Sequence, residues 1–558
     1  MSREPPAARF EPDERSSRRP AAGLLPAAGV AIVVAIYLLG HLSQLAVTPL
    51  GEGLDFFGHL SYVVFYAETG RPPSREALSV PAWVVRLKEI LPGPDPSVSG
   101  DRYRAWAALP PGERAERRRE ALAVSPAKDF VAANYEAQQP PLYYWLMSRV
   151  YRALGERFDL EGRVFVLTLL SECIAATGLL AIFLTLRLDF DERASLLLLL
   201  AVAWYPNLPA FLDRITNDTL AFPLIAWTLY LGLSAVRRGS TGRIALSGAL
   251  LVFAIFTKLY ALTLVPAYLV CAAAVKPAGR RRGILVGGAI VLAGVAGALA
   301  FNHATTGHLL PLIEMRGAGR VSPGGWLKAI TGVDPLWFFG GLVKGFWWIG
   351  YWSFVSPGLF YYVPILAFGL VYLKRPGSRS RADAAGLAWL WPHAAALMCF
   401  VAGLYLHAVA YRLYAERSGV PRSQGNEGWY ANVLLVSVCV IAAAALRRRL
   451  SERPFHSILA ATASFFLVWN LVGRAALAGF WGGLAGRRHG IDWNALATPR
   501  ILSGEAWAGF VDLPGVLHPL PLTFWLPLGI AVVASAALLT AAWRGGGAGR
   551  AAQNQRNW

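Results

Sequence analysis

Charge is what this sequence has least of. Only 16% of its 558 residues are Asp, Glu, Lys or Arg, while 55% are hydrophobic. A soluble chain of that length needs more charged surface to cover two or more cores. A doubly wound or other soluble fold is therefore excluded. Cysteine is scarce too. Its four copies, Cys173, Cys271, Cys399 and Cys439, all fall in apolar runs, which argues against a disulfide framework or a thiolate zinc site. Ionisable groups are almost missing from the centres of those runs, Glu172 being the main exception. An ion-coupled transporter or proton pump needs several such groups along its path, and no repeat symmetry relates the two halves. A transporter is the least favoured function. Glu172 reads as a packing residue paired across helices.

What the chain has is apolar runs of about 17–24 residues, the length of a helix that crosses a bilayer. Lipid offers no partner to a free backbone amide, so each run must be helical. The expected fold is an all-α polytopic membrane protein of about a dozen spanning helices. The runs cover 24–47, 164–187, 194–212, 217–235, 243–257, 259–275, 283–301, 357–373, 387–410, 430–446, 455–477 and 522–543. The pair 243–257 and 259–275 is short and meets at Thr257-Lys258, as a broken or hairpin pair would. Residues 334–356, crowded with Trp and Phe and broken by Lys344 and glycines, suit an interfacial helix better than a span.

The net charge of +19 fits nucleic acid poorly, because its arginines sit in short clusters between the runs. With a cytoplasmic N-terminus, every short inside loop is basic, from Arg187–Arg193 through Arg280-Arg281-Arg282 to Arg447-Arg448-Arg449. That orientation places both ends inside. The chain then divides into a disordered cytoplasmic tail over 1–20, a membrane body over 21–477 with a large external loop at 48–163, an external segment at 478–521, and a last span and tail over 522–558. Inside the large loop, Pro81 to Leu91 puts Trp83, Val84, Leu87, Ile90 and Leu91 on one helical face, as in an amphipathic helix lying on the membrane surface. Glu113–Glu120 is charged all round and reads as a solvated helix.

Polar residues gather on the outer face. The first cluster, Gly51-Glu52-Gly53-Leu54-Asp55-Phe56-Phe57-Gly58-His59, follows the first span. Asp55 and His59 are four apart and share a face if that segment is helical. Such a pair is a general base or half a cation site; the plainer alternative is that Asp55 caps a helix. The second cluster, Asn134-Tyr135-Glu136-Ala137-Gln138-Gln139-Pro140-Pro141-Leu142-Tyr143-Tyr144, is a helix entry fixed by prolines. Lys258 sits at a helix end, where snorkelling is its plain reading. Asn217 and Asp218 read as caps of the fourth helix.

These elements, in this order, resemble the GT-C glycosyltransferases related to aminoarabinose transferase and protein O-mannosyltransferase. Asp55-x-x-x-His59-x-x-Tyr62 resembles the acidic element after the first helix of a bacterial branch. Gln139-Pro140-Pro141-Leu142-Tyr143-Tyr144 resembles the end of its first loop, and Arg214-Ile215-Thr216-Asn217-Asp218 its turn between helices three and four. Phe256-Thr257-Lys258 resembles its junction motif, and Gln424-Gly425-Asn426-Glu427-Gly428-Trp429-Tyr430 its late external loop. The match in order covers most of residues 24–445. Two positions depart from the pattern: Phe56 stands where a second acid is usual, and Gln139 replaces a His.

The resemblance implies sugar transfer from a polyprenyl-phosphate donor to an envelope glycan, lipid or protein acceptor outside the cytoplasmic (inner) membrane. A polysaccharide polymerase or ligase, or a non-catalytic relative, is the alternative. It implies Asp55 and His59 as the catalytic pair, with Glu52, Glu136, Gln139, Arg214, Lys258 and Glu427 binding substrate. No cofactor is assigned. The missing second acid argues against a metal-binding acidic pair, although a divalent metal stays open, and Arg or Lys can neutralise the leaving phosphate instead.

Overall fold

The computed structural model describes residues 24–481 and 522–555, apart from breaks at 47, 49–54, 75, 91–104, 107, 123–128, 213, 276, 311–321, 347–365, 367–368, 371–389 and 419–427. Among the described residues, eight helices are long and apolar enough to span a membrane. They are Ala27–Leu45, Leu160–Leu186, Asp218–Arg238, Arg281–Thr306, Trp391–Tyr414, Tyr430–Arg449, Glu452–Arg474 and Trp525–Trp543. Each coincides with one of the twelve apolar runs. Of the other four, 243–257 and 259–275 are the shorter apolar helices Thr241–Ile255 and Leu259–Ala273. The run 194–212 is broken into Glu192–Ala203 and Asn207–Leu212. Most of 357–373 lies outside the described residues, as do 1–20 and 478–521 except for the helix end Ala478–Trp481. Within 334–356, a helix runs over Pro335–Phe346.

Local chemistry sets the helix limits. Asp159 caps Leu160–Leu186 by accepting from Gly162 N at 2.8 Å, and Asp191 caps Glu192–Ala203 through Ala194 N at 2.9 Å. Each carboxylate satisfies an amide that the first turn leaves unpaired. Leu160–Leu186 packs along Asp218–Arg238, close enough that a Cβ on Gly178 would lie 2.8 Å from the Phe222 ring. Small residues let membrane helices approach in this way. Glu172 is paired across helices: Tyr37 OH donates to its Oε2 at 2.7 Å, and His41 Nδ1 lies 3.0 Å from the same oxygen.

The loop after the first span builds a small subdomain. Phe56–Thr69 packs against Leu142–Leu154, beside a two-stranded antiparallel ribbon pairing Leu78–Pro81 with Phe130–Ala133. The ribbon is a small departure from an all-α fold. The amphipathic helix forms over Ala82–Ile90, but Trp83, Val84 and Leu87 are buried in the subdomain's own core. Protein rather than lipid covers those three side chains. The solvated helix spans Pro111–Leu122, with surface ion pairs Arg117–Glu113 and Arg86–Glu120, each 2.9 Å. Val164 and Leu167 of the long helix, and Ile215 of the turn before Asp218, join the same core. The subdomain is thereby fixed to the bundle at the seam where the polar residues meet.

Candidate active site

Asp55 starts the site. Its backbone is left-handed (φ 61°, ψ 13°), the one such non-glycine residue among those described. An Asp tolerates this region better than most residues, yet it still costs about 1–3 kcal/mol. Its side chain makes no capping bond to the helix Phe56–Thr69, so the capping alternative fails. Its carbonyl accepts from His59 N at 2.9 Å, one turn on. Gly58 makes room for the next member. Asn134 Nδ2 donates to Gly58 O at 2.7 Å, and Glu136 N donates to Asn134 Oδ1 at 3.0 Å. This pins a turn of 3₁₀ helix, Tyr135–Gln138, that delivers Glu136. One ligand atom each from Asp55, His59 and Glu136 lies within 4.8 Å of the others.

His59 links this acid end to a basic one. Its Nδ1 lies 2.7 Å from Tyr144 OH and 3.5 Å from Glu136 Oε2; its Nε2 lies 3.4 Å from Thr216 Oγ1. Thr216 Oγ1 donates to Asp218 Oδ2 at 3.2 Å, and Lys258 Nζ donates to the same oxygen at 2.6 Å. Tyr260 OH holds Asp218 Oδ1 at 2.9 Å, and Arg214 Nη2 lies 4.0 Å from Oδ2. Lys258 Nζ sits over the rings of Tyr430 and Tyr260, 5.0 and 5.4 Å from their centroids. Lys258 is only 7% exposed, so snorkelling is not its role. Asn217 also does not cap: its Nδ2 donates to Gln139 Oε1 at 3.3 Å and Thr257 O at 3.0 Å. Leu142 N donates to Phe256 O at 3.0 Å, tying the Pro-Pro helix to the Lys258 junction.

Burial shapes the charges. Burial, reinforced by the nearby Lys258 and Arg214 cations, holds His59 well below the usual imidazole range and keeps it neutral. Burial and the neighbouring Asp55 carboxylate push Glu136 well above the usual range, against the pull of Lys258. Asp55, by contrast, is only half-buried.

Of the residues expected from sequence, Asp55, His59, Glu136, Gln139, Arg214 and Lys258 come together through these contacts. Glu52 and Glu427 lie outside the described residues. Sequence reasoning missed Thr216, Tyr144, Tyr260, Tyr430 and above all Asp218, which it read as a cap. The signal for Asp218 was an acid four residues after an Arg in a polar turn between apolar runs. The second acid missing beside Asp55 is supplied by Glu136, from the far end of the loop. Two carboxylates and an imidazole within 4.8 Å form an O, N, O donor set that fits a divalent cation.

Residues 138–301 match the family described as dolichyl-phosphate-mannose-protein mannosyltransferase. The match covers less than half of the chain and is a likeness to that family. This stretch runs from Gln138 to Phe301 and so carries Gln139, Arg214, Asp218 and Lys258 of the site. No curated protein matches the chain by sequence. Among solved structures, ArnT from Cupriavidus metallidurans bound to undecaprenyl phosphate is 16% identical at TM-score 0.40, covering 94% of this chain and 78% of that one. The arabinosyltransferase EmbB from Mycobacterium smegmatis is 11% identical at TM-score 0.38, covering 97% and 42%. The apo oligosaccharyltransferase of Archaeoglobus fulgidus is 12% identical at TM-score 0.40, covering 88% and 59%. Likenesses this distant assign no role to any residue here.

Proposed function

We propose that this chain is a GT-C-type glycosyltransferase that moves a sugar from a polyprenyl-phosphate donor to an acceptor hydroxyl on the non-cytoplasmic side of the inner membrane. The observation that carries the reading is a line of contacts through His59, Thr216 and Asp218 that joins a carboxylate–imidazole end (Asp55, Glu136, His59) to a cationic end (Lys258, Arg214). Sugar transfer to a hydroxyl needs a base at one end of the reacting axis and a stabiliser of the leaving phosphate at the other. Asp55 is the base, because it is half-buried and open to an acceptor while Glu136 is enclosed. Neutral His59 and Glu136 orient it. Lys258 and Arg214 hold the donor phosphate, and Gln139 braces the turn through Asn217. A divalent cation, if held by Asp55, His59 and Glu136, would supply positive charge to polarise the acceptor oxygen.

The test is donor turnover. Purified protein in proteoliposomes is given a labelled polyprenyl-phosphate sugar and an extract of envelope acceptors. Release of polyprenyl phosphate with label appearing in an acceptor is expected. Lys258→Ala should weaken donor binding about tenfold or more, the scale of losing a charge-assisted contact, at unchanged expression. Donor affinity untouched by that change, or no lipid-linked sugar ever consumed, overturns the reading. Labelling of a cysteine placed at residue 100 only from the cytoplasmic side overturns its sidedness.

A further inference from the structure

The basic end of the site holds more than a phosphate would need. Three donors converge on the Asp218 carboxylate, Lys258 Nζ at 2.6 Å, Tyr260 OH at 2.9 Å and Thr216 Oγ1 at 3.2 Å, and the Arg214 guanidinium stands by with Nη2 4.0 Å from Oδ2. Asp218 is 1% exposed, Arg214 4% and Lys258 7%. The guanidinium is not used up by this arrangement. Arg214 Nε and Nη1 are buried and have no hydrogen-bond partner among the described residues, and leaving such charged N–H groups unmet is costly. A fixed carboxylate takes up one of the two positive charges, and the spare N–H groups wait for a second anion.

We infer that Asp218 sets the charge preference of the phosphate site: it makes the site select a singly charged phosphodiester and discharge a doubly charged monoester. This rests on the donor reading above. In the transfer, the acceptor oxygen bonds to the sugar's anomeric carbon and the bond from that carbon to the phosphate oxygen breaks. The electron pair stays with the phosphate, and the acceptor's proton passes to Asp55. The donor diester carries one negative charge. The polyprenyl monophosphate left behind carries up to two, since its second ionisation lies near pH 6. Arg214 and Lys258 against Asp218 leave a net single positive charge in this corner. That balances the diester and under-compensates the product. A low-dielectric setting makes one charge at this range worth a large factor in affinity. Without Asp218 the corner would carry two positive charges and would hold the product best. Asp218 is thus a specificity-determining residue that acts on the phosphate through Lys258 and Arg214.

The experiment compares two lipid probes at pH 8 on the full-length protein in detergent: dodecyl phosphate, a monoester, and dodecyl methyl phosphate, a diester. Binding is measured by calorimetry, without turnover. The wild type should prefer the diester. Asp218→Asn keeps shape and removes the charge, so the monoester should gain about tenfold or more relative to the diester. The double variant Asp218→Asn with Lys258→Gln restores a net single positive charge and should bring back the wild-type preference at lower affinity. A residue that merely braces the fold would weaken both probes alike and would not be rescued by removing a second charge. An unchanged monoester-to-diester ratio in Asp218→Asn overturns the inference while leaving the donor reading intact. Failure of the wild type to bind either probe overturns both. If the single variant does not fold, the ratio is read from Asp218→Asn in the double variant against Lys258→Gln alone, where the same shift toward the monoester is expected and its absence is fatal.

Discussion

The subdomain after the first span and the helix bundle are packed from different materials. The subdomain core is built on tyrosine: Tyr62, Tyr143, Tyr144 and Tyr151 are each at most 4% exposed. The bundle core is mostly aliphatic, as in the unbroken run Leu197-Leu198-Leu199-Leu200-Ala201-Val202-Ala203. A buried tyrosine fills space like any aromatic ring but keeps a hydroxyl that must find a partner. Here three of those hydroxyls reach the polar groups of the seam. Tyr144 OH meets His59 Nδ1 at 2.7 Å, Tyr143 OH meets Ser171 Oγ at 3.0 Å, and Tyr62 OH donates to Gln139 O at 3.3 Å. Tyr62 and Tyr144 stack with centroids 3.8 Å apart, which fixes the rings as well as the hydroxyls. The bundle's leucines have nothing to offer a substrate. They hold the ends of helices in place, and the subdomain sets the angles of the side chains that react.

That division predicts where damage falls on chemistry and where it falls on stability. Asp55→Asn is the most severe case. It removes the proposed base with almost no change in volume, so folding should survive while transfer falls by roughly two to four orders of magnitude. Single-turnover rates on detergent-purified protein, beside its melting temperature, check both halves. Transfer at more than about a tenth of the wild-type rate would take Asp55 out of the catalytic role. His59, already neutral and held by three partners, should be the more tolerant position.

Gly58→Ala probes the subdomain's positioning without touching a reactive group. A Cβ at Gly58 would lie 2.8 Å from Glu136 Cγ and 3.3 Å from Asn134 Oδ1, so the turn carrying Glu136 must shift. Alanine is worth up to about 1 kcal/mol over glycine inside a helix, which offsets the strain in stability. The rate has no such offset, and displacement on the scale of 1 Å is enough to cost about a hundredfold. The expected outcome is a melting temperature near wild type with turnover lowered about tenfold to a hundredfold. A wild-type rate would show that Glu136 need not sit where it does.

Much of this was legible in the sequence, for reasons that also mark its limits. A bilayer forces long apolar runs into helices, and eight of the twelve runs are single long helices among the described residues. The run 194–212 is helical but interrupted at Tyr205-Pro206, where the chain turns between Glu192–Ala203 and Asn207–Leu212. Apolar content measured the burial and missed the break. Site residues carried by order along the chain, such as Asp55 with His59, were readable. Those defined by contact across the fold were not. Asp218 looked like a helix cap because capping is the local use of an Asp at that position. Its partners Lys258 and Tyr260 lie some forty residues on, and no local pattern announces them. The amphipathic face of Ala82–Ile90 was visible, but the identity of the surface covering it was not, since a subdomain core and a lipid surface ask for the same side chains.

The comparison is sharpest where an effect on chemistry should be absent. Leu199 is fully buried in the bundle, at 0% exposure, within the helix Glu192–Ala203, away from every polar contact of the site. Leu199→Ala removes packing that nothing nearby can replace, at a cost in the range of about 2–5 kcal/mol for soluble cores. Between membrane helices the lower part of that range is expected, because lipid tails are as apolar as leucine and only the packing contribution is lost. Thermal unfolding in detergent should show the deficit. Turnover per folded molecule, and the monoester-to-diester binding ratio, should stay within about twofold of wild type, since no hydroxyl, amide or charge of the seam moves. If turnover per folded molecule instead falls with stability, the bundle core is shaping the reacting groups directly. The subdomain then loses its claim to set the geometry alone, and the seam has to be treated as one unit with the helices beneath it.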